Sequence, residues 1–289
     1  MRYAFIAEHQ DIWPVSVLCE VLDVSRSGFY EYLQRHAQEA GDAEEAALLA
    51  RVKAIAAETR HSYGSRRMAK QLQDEGCHVG RAKARRLMNK AGVAVQRPRR
   101  RGPMTTDSRH NYAVAPNLLA RQFDVTVPDQ VWAGDITYIW TAEGWLYLAV
   151  LVDLYSRKVV GWAMNHHMET TLVQDALQMA LGRRSPAAGL MHHSDRGSQY
   201  ASHAYQAMLA NQGIVCSMSE KGECLDNAVA ERFFGSLKGE RTSLRHYATR
   251  QEAWDDVIDY IEMFYNSKRL HSYLGYTSPN NFERVARVA

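Results

Sequence analysis

The chain has 289 residues, 46% hydrophobic and 23% charged, with a net charge of +3, which is enough for at least two domains rather than one small module. No apolar run approaches the roughly 20 residues that span a bilayer and no signal-peptide pattern opens the chain, so a soluble, cytoplasmic protein without a membrane partner is expected. Cys19, Cys77, Cys216 and Cys224 form no CxxC pair and have no matching histidine spacing, which argues against a zinc site or a disulfide framework and for reduced, structural cysteines.

The first segment follows helix-turn-helix grammar. Leu18, Val21 and Leu22 recur at helical spacing, Val24 ends a tight turn, and Ser25 is placed to cap a second helix carrying Arg26, Phe29 and Leu33. An Ala-rich helix follows over 44–58. Tyr63-Gly64-Ser65-Arg66-Arg67 opens another, which runs to about Asp74 and is closed by Gly76, and a basic helix covers about 80–91. No Asp or Glu occurs from Gly76 to Thr106, whereas Arg81, Lys83, Arg85, Arg86, Lys90, Arg97, Arg99, Arg100 and Arg101 all do. A polyanion is the natural partner of such a stretch, the alternative being a solvated basic face.

From 92 to 129 periodicity gives way to Arg, Pro and Gly, and 96–128 reads as a linker. Strand grammar then begins. Trp132–Tyr138, Trp145–Val152 and Lys158–Met164 are expected to form an antiparallel meander, with Asp153–Arg157 as the turn between the last two. A helix over 170–181, a short strand over 190–193, a helix over 203–211 and a strand over 214–218 follow. Strand and helix alternating after a meander imply an α/β fold with a mixed sheet and helices packed on it. The loop 219–225 leads to a helix over 227–239 that Asp226 is placed to cap, and 251–265 reads as a final long helix.

Three carboxylates stand out. Asp135 lies inside the apolar run Val131-Trp132-Ala133-Gly134-Asp135-Ile136-Thr137-Tyr138-Ile139, Asp195 follows a strand, and Glu231, separated from Asp195 by 35 residues in D-D-35-E spacing, lies on a helix. A carboxylate in an apolar strand carries a desolvation cost unless a cation compensates it. Oxygen ligands of this kind suit Mg²⁺ or Mn²⁺, and two ions roughly 4 Å apart clamp the attacking and leaving oxygens of a phosphoryl transfer. Taken singly, each acid is better read as a strand end, a turn or a solvated helix residue; their order and spacing together favour a site. Asp153 is assigned instead to the hairpin turn with Ser156, and Asp226 to the helix cap. His192 and His193 alternate to opposite faces, so at most one can point into the site, and packing is the favoured role. Asn227 and Lys238 share a helix face with Glu231, where Lys238 either holds a DNA phosphate or is an ordinary exposed lysine, while Phe233, Phe234 and Leu237 form the buried stripe. The segment Tyr265–Ser272 mixes aromatic and basic groups and is read as structural.

With these residues in view, the chain resembles insertion-sequence transposases of the IS-three family, specifically the larger OrfB product. The matching blocks are Trp132–Tyr138, His193–Tyr200, Asp226–Phe234, the C-terminal Tyr265-Asn266, Arg269, His271-Ser272, Leu274-Gly275 and Ser278-Pro279, and the N-terminal Leu18-Cys19, Ser25–Gly28 and Tyr63–Arg67. The resemblance implies a ribonuclease H-like catalytic core, shared with retroviral integrases, and a DDE triad carried here onto Asp135, Asp195 and Glu231. It also implies two Mg²⁺ or Mn²⁺ ions, a homo-oligomer on DNA, and an upstream OrfA partner or frameshift fusion.

The expected organisation is therefore a helix-turn-helix segment at 1–40, a basic helical DNA-binding domain at 44–95, a linker at 96–128 and the catalytic domain with its C-terminal helices at 129–289. The expected function is a transposase that cleaves and joins DNA at the ends of its element. Candidate DNA contacts are Arg26, Arg66, Arg67, Arg81, Lys83, Arg85, Arg86, Lys90, Arg99, Arg100, Arg101 and Lys238. Six to ten phosphate contacts would lose roughly three to five decades of affinity between about 50 and 200 mM salt. A DNA-binding regulator without chemistry and a simple nuclease that cannot join strands are the rival readings.

Overall fold

A computed structural model describes residues 1–96, 112–221 and 223–287. The chain divides into two compact units, Met1–Ala94 and Val95–Ala289.

The first unit is all helical: α1 (Arg2–His9), α2 (Val15–Val21), α3 (Arg26–Glu58), α4 (Ser65–Asp74) and α5 (Arg81–Lys90). Ser25 caps α3 as its spacing predicts, its Oγ accepting from the Gly28 amide at 3.1 Å. Ile6, Leu18, Cys19 and Phe29 form the buried centre of the first helix-turn-helix. Val52, Ile55, Met68, Leu72, Ala84 and Leu87 are buried on α3, α4 and α5. The structure departs from the expected division between 40 and 44, because α3 runs for 33 residues straight through it. The sequence 38–48 holds no proline and is rich in Ala and Glu, both good helix formers, so nothing interrupts the helix.

The second unit is built on a mixed five-stranded sheet in the order β3-β2-β1-β4-β5. β1 (Val131–Thr141), β2 (Gly144–Asp153) and β3 (Val159–Asn165) form the antiparallel meander, joined first by a tight turn at Ala142-Glu143. β4 (Met191–Ser194) and β5 (Val215–Met218) run parallel to β1. Parallel neighbours require crossovers. α6 (Thr170–Arg184) supplies the one between β3 and β4, while the short α7 (Ser198–Ala201) and α8 (His203–Asn211) join β4 to β5. α9 (Ala228–Glu240) and α10 (Arg250–Ile258) follow. The last turns of the expected 251–265 helix widen to π-helical spacing at Asp259–Tyr265, and a further helix beyond the expected elements, α11 (Pro279–Ala286), is capped by Ser278.

Strand alternation sends Trp132 and Ala133 to separate buried clusters. Trp132, Ala149, Leu151 and Val160 pack with α6, α7 and α8, and Ala133 packs with Leu154, Ala230 and Leu119. Leu119 corrects the linker expectation. It is buried, and Phe123 and Val125 pack beside it, so this part of 96–128 belongs to the catalytic unit. Its apolar residues sit on irregular backbone, which carries no period to read. Arg97, Arg99, Arg100 and Arg101 lie outside the described residues.

A candidate active site at the notch between two parallel strands

β1 and β4 pair only over Val131–Ala133, ending at Ala133 opposite His193. Among the described residues β1 then has no strand on that side until Thr141 meets Tyr247. Two residues beyond the last pair come Asp135 on β1 and Asp195 just past β4, at matching positions on either side of the notch. Neighbouring strands lie about 4.8 Å apart, so the register sets these two residues on facing edges of the notch.

α9 adds the third. Its entry is tied to β1 by Asn227, whose Nδ2 donates to the Gly134 carbonyl at 3.0 Å, immediately before Asp135. Ala230 is fully buried against Ala133, which leaves Glu231 on the exposed side of the helix at the mouth of the notch. Gly134 leaves room on the other face of β1, where a Cβ would stand 2.6 Å from His192 Nε2.

The electrostatics bear out the proximity. The Asp135 carboxyl is pushed well above the ordinary aspartate value, first by burial, then by the charges of Asp195 and Glu231; the Ile136 amide and Lys238 work the other way. Burial also raises Glu231. Lys238 is lowered by burial, partly offset by the attraction of Asp135, and its Nζ lies 4.9 Å from the Tyr138 ring centroid. Each aspartate turns one oxygen to local backbone: Asp135 Oδ1 accepts from the Ile136 amide at 2.8 Å, and Asp195 Oδ1 from the Gly197 amide at 2.9 Å. Among the described residues no three His, Cys, Asp or Glu side chains form a ready-made metal cage. The carboxylates form an open set, within electrostatic range of one another but each held by its own element.

The neighbouring acids behave differently. Asp153 shapes its turn as expected, accepting from the Ser156 amide and hydroxyl at 3.0 and 3.2 Å. Asp226 is not the helix cap. It accepts from Asn117 Nδ2, Arg121 Nε and the Glu220 amide at 2.9, 2.6 and 3.0 Å, locking the segment before β1 and the loop after β5 to the start of α9. Burial opposes its ionised form, but the Glu220 amide and Arg121 more than offset this and hold its carboxyl below the ordinary value. Two of these partners, Asn117 and Arg121, escape a sequence reading because they lie 109 and 105 residues away, in the segment read as a linker. His192 and His193 pack as expected: His192 Nε2 is hydrogen-bonded to the Tyr205 hydroxyl at 3.1 Å, and His193 bridges Ser217 and Ser219. The C-terminal segment is structural too, with Asn266 bracketing Val159 through both backbone groups and Arg269 gripping Glu240.

Of the candidate DNA contacts, Arg26, Arg66, Arg81, Arg85 and Arg86 are exposed. Lys90 is exposed as well; it and Lys83 pair with Glu45 and Glu44 on α3 at 3.0 and 3.5 Å, and Arg67 lies over the Tyr63 ring.

Two models of the integrase core domain match residues 125–224 and 231–285, and a model of an HTH-like domain matches 43–101. The chain is 40% identical over 285 residues to the transposase InsF for insertion sequence IS3A of Escherichia coli (strain K12), covering 98% of both proteins. It is 43% identical over 265 residues to the insertion element IS600 uncharacterized 31 kDa protein of Shigella sonnei, covering 92% of this chain and 97% of that protein. A simian T-cell lymphotropic virus intasome chain superposes with a TM-score of 0.45 at 14% identity over 74% of this chain and 73% of that one. Identity at this level over nearly the whole chain makes it a member of the insertion-sequence transposase family with an integrase core domain.

Proposed function

We propose that the chain cleaves and joins DNA strands at the ends of its own insertion sequence, with Asp135, Asp195 and Glu231 as the catalytic carboxylates. The observation that carries this reading is the strand register: Ala133 opposite His193 sets Asp135 and Asp195 level across the notch, with α9 tied beside them by Asn227. Acids close enough to raise the Asp135 carboxyl favour a cation among them, and hard oxygen donors of this kind suit Mg²⁺ or Mn²⁺. A bound pair of such ions would activate the attacking oxygen and stabilise the leaving one.

The remaining residues act on position. The Gly197 and Ile136 amides orient the two aspartates, and Asn227 fixes the depth at which α9 delivers Glu231. Lys238, beside Asp135, balances charge until DNA arrives and then faces its phosphate. Arg26, Arg66, Arg81, Arg85 and Arg86 in the helical unit hold the DNA backbone, and the protein works as a homo-oligomer on DNA.

The test is a labelled duplex carrying the terminal repeat that flanks the element, incubated with the full chain and Mg²⁺. Cleavage followed by joining is expected, and Asp195→Ala should lose both while still binding DNA. Joining unchanged in that variant refutes the site; hydrolysis without joining makes the protein a nuclease; binding without either makes it a regulator.

A further inference from the structure

Trp140 and Trp145 are exposed, at 59% and 39%, on the hairpin that extends β1 and β2 beyond the notch. They are cross-strand partners, with ring centroids 4.7 Å apart, and Trp145 meets Tyr138 at 4.8 Å. Tyr138 in turn carries the Lys238 ammonium, whose charge acts on Asp135. The Lys238 ammonium thus lies over the first of three aromatic rings, the last two open to solvent, while its charge also acts on Asp135. The Arg250 guanidinium lies at the same hairpin, its Nε donating to the Trp145 carbonyl at 3.1 Å. Indole rings on a hairpin gain little for the fold by being exposed, and aromatic rings beside cations are the chemistry that receives unpaired nucleobases.

We propose that Tyr138, Trp145 and Trp140 form a stacking platform for unpaired bases of the DNA strand processed at the notch. The inference rests on the transposase reading and adds a step to it. The base pairs at the scissile position open, and the freed bases stack on the indoles while Lys238 and Arg250 face the adjoining phosphates. Base-aromatic stacking offsets the cost of unpairing, which is least for a base already mismatched.

The dependence on pairing supplies the test. Two labelled duplexes of the element's terminal repeat are compared, one fully paired and one with two mismatched pairs at the cleavage position. Trp140→Ala with Trp145→Ala should cut the paired duplex roughly tenfold more slowly than wild type, and the mismatched duplex within about threefold of it. Trp140→Phe, which keeps a ring, should restore most of the rate on the paired duplex. Asp195→Asn should be inactive on both. Equal impairment on the two duplexes, or no impairment on either, overturns the platform while leaving the carboxylate site standing. A wild-type protein that cuts neither duplex overturns the transposase reading and the platform with it.

Discussion

Asp135 illustrates a residue whose burial opposes folding. Burial and the neighbouring acids hold its proton in the fold at pH values where the unfolded chain has released it. A carboxyl raised in this direction costs stability as pH climbs above the unfolded value of about 4. Without divalent cations near neutral pH, Asp135→Asn should therefore raise the melting temperature by a few degrees while abolishing strand cleavage. Mg²⁺ should then stabilise the wild type and not the variant. A variant that melts lower than wild type in chelator would contradict the account.

His192 and His193 have the opposite sign. Burial is the first cause that drives their pKa values down, to about 3 and about 4. Unfolded histidines take up protons below about 6.5, so the unfolded chain gains protons that the fold refuses, and stability should fall as pH drops from about 6.5 toward 4. Thermal melts in that window check this; a melting temperature that stays level across it would show that these imidazoles are not buried neutral.

At the scale of elements, the packing of α6 on the sheet depends on Gly161 of β3. A Cβ there would collide with the Ala176 carbonyl and stand 2.7 Å from Ala180 Cβ, whereas Gly182 has nothing within 4 Å. Gly161→Ala should cost about 1–3 kcal/mol, the usual range for overpacking, in a denaturant titration. Gly182→Ala should cost nothing measurable, and equal effects at the two sites would place α6 elsewhere.

Much of this layer is legible in the residues themselves. Asp135 announces itself because an acid inside Trp132–Ile139 breaks an otherwise apolar strand, and the Asp153–Ser156 turn follows from residues three apart. What is hidden depends on distant partners. The Asn227 clamp reaches a carbonyl 93 residues away, and Asp226 is claimed by Asn117 and Arg121, 109 and 105 residues away, rather than by the helix it adjoins. The continuity of α3 through 40–44 is concealed by a change in composition that is not a change in backbone. The ion pairs of Lys83 and Lys90, expected as DNA contacts, are hidden as well, because Glu44 and Glu45 lie on another helix.

At the scale of the whole molecule, the proposed function gives the two units separate tasks, holding DNA and cutting it. Changing Arg81, Arg85 and Arg86 together to alanine should weaken binding to DNA of any sequence and flatten its salt dependence, by roughly 0.9 in the log-log slope for each phosphate that is no longer neutralised. Titrations of labelled duplex at several salt concentrations measure this directly. A slope identical to wild type would assign the basic helix α5 to solvent. The melting profile of the catalytic unit should be unchanged in the same variant, since those arginines lie in the other compact unit.

The central claim is that Asp135, Asp195 and Glu231 close on divalent cations when DNA is held. Crystals of the DNA complex grown with Mn²⁺ and measured at the manganese absorption edge test it most directly. The account predicts anomalous density coordinated by the Asp135 and Asp195 carboxylates, with Glu231 completing the set. Manganese bound elsewhere beside the scissile phosphate, with these carboxylates still apart, would contradict it.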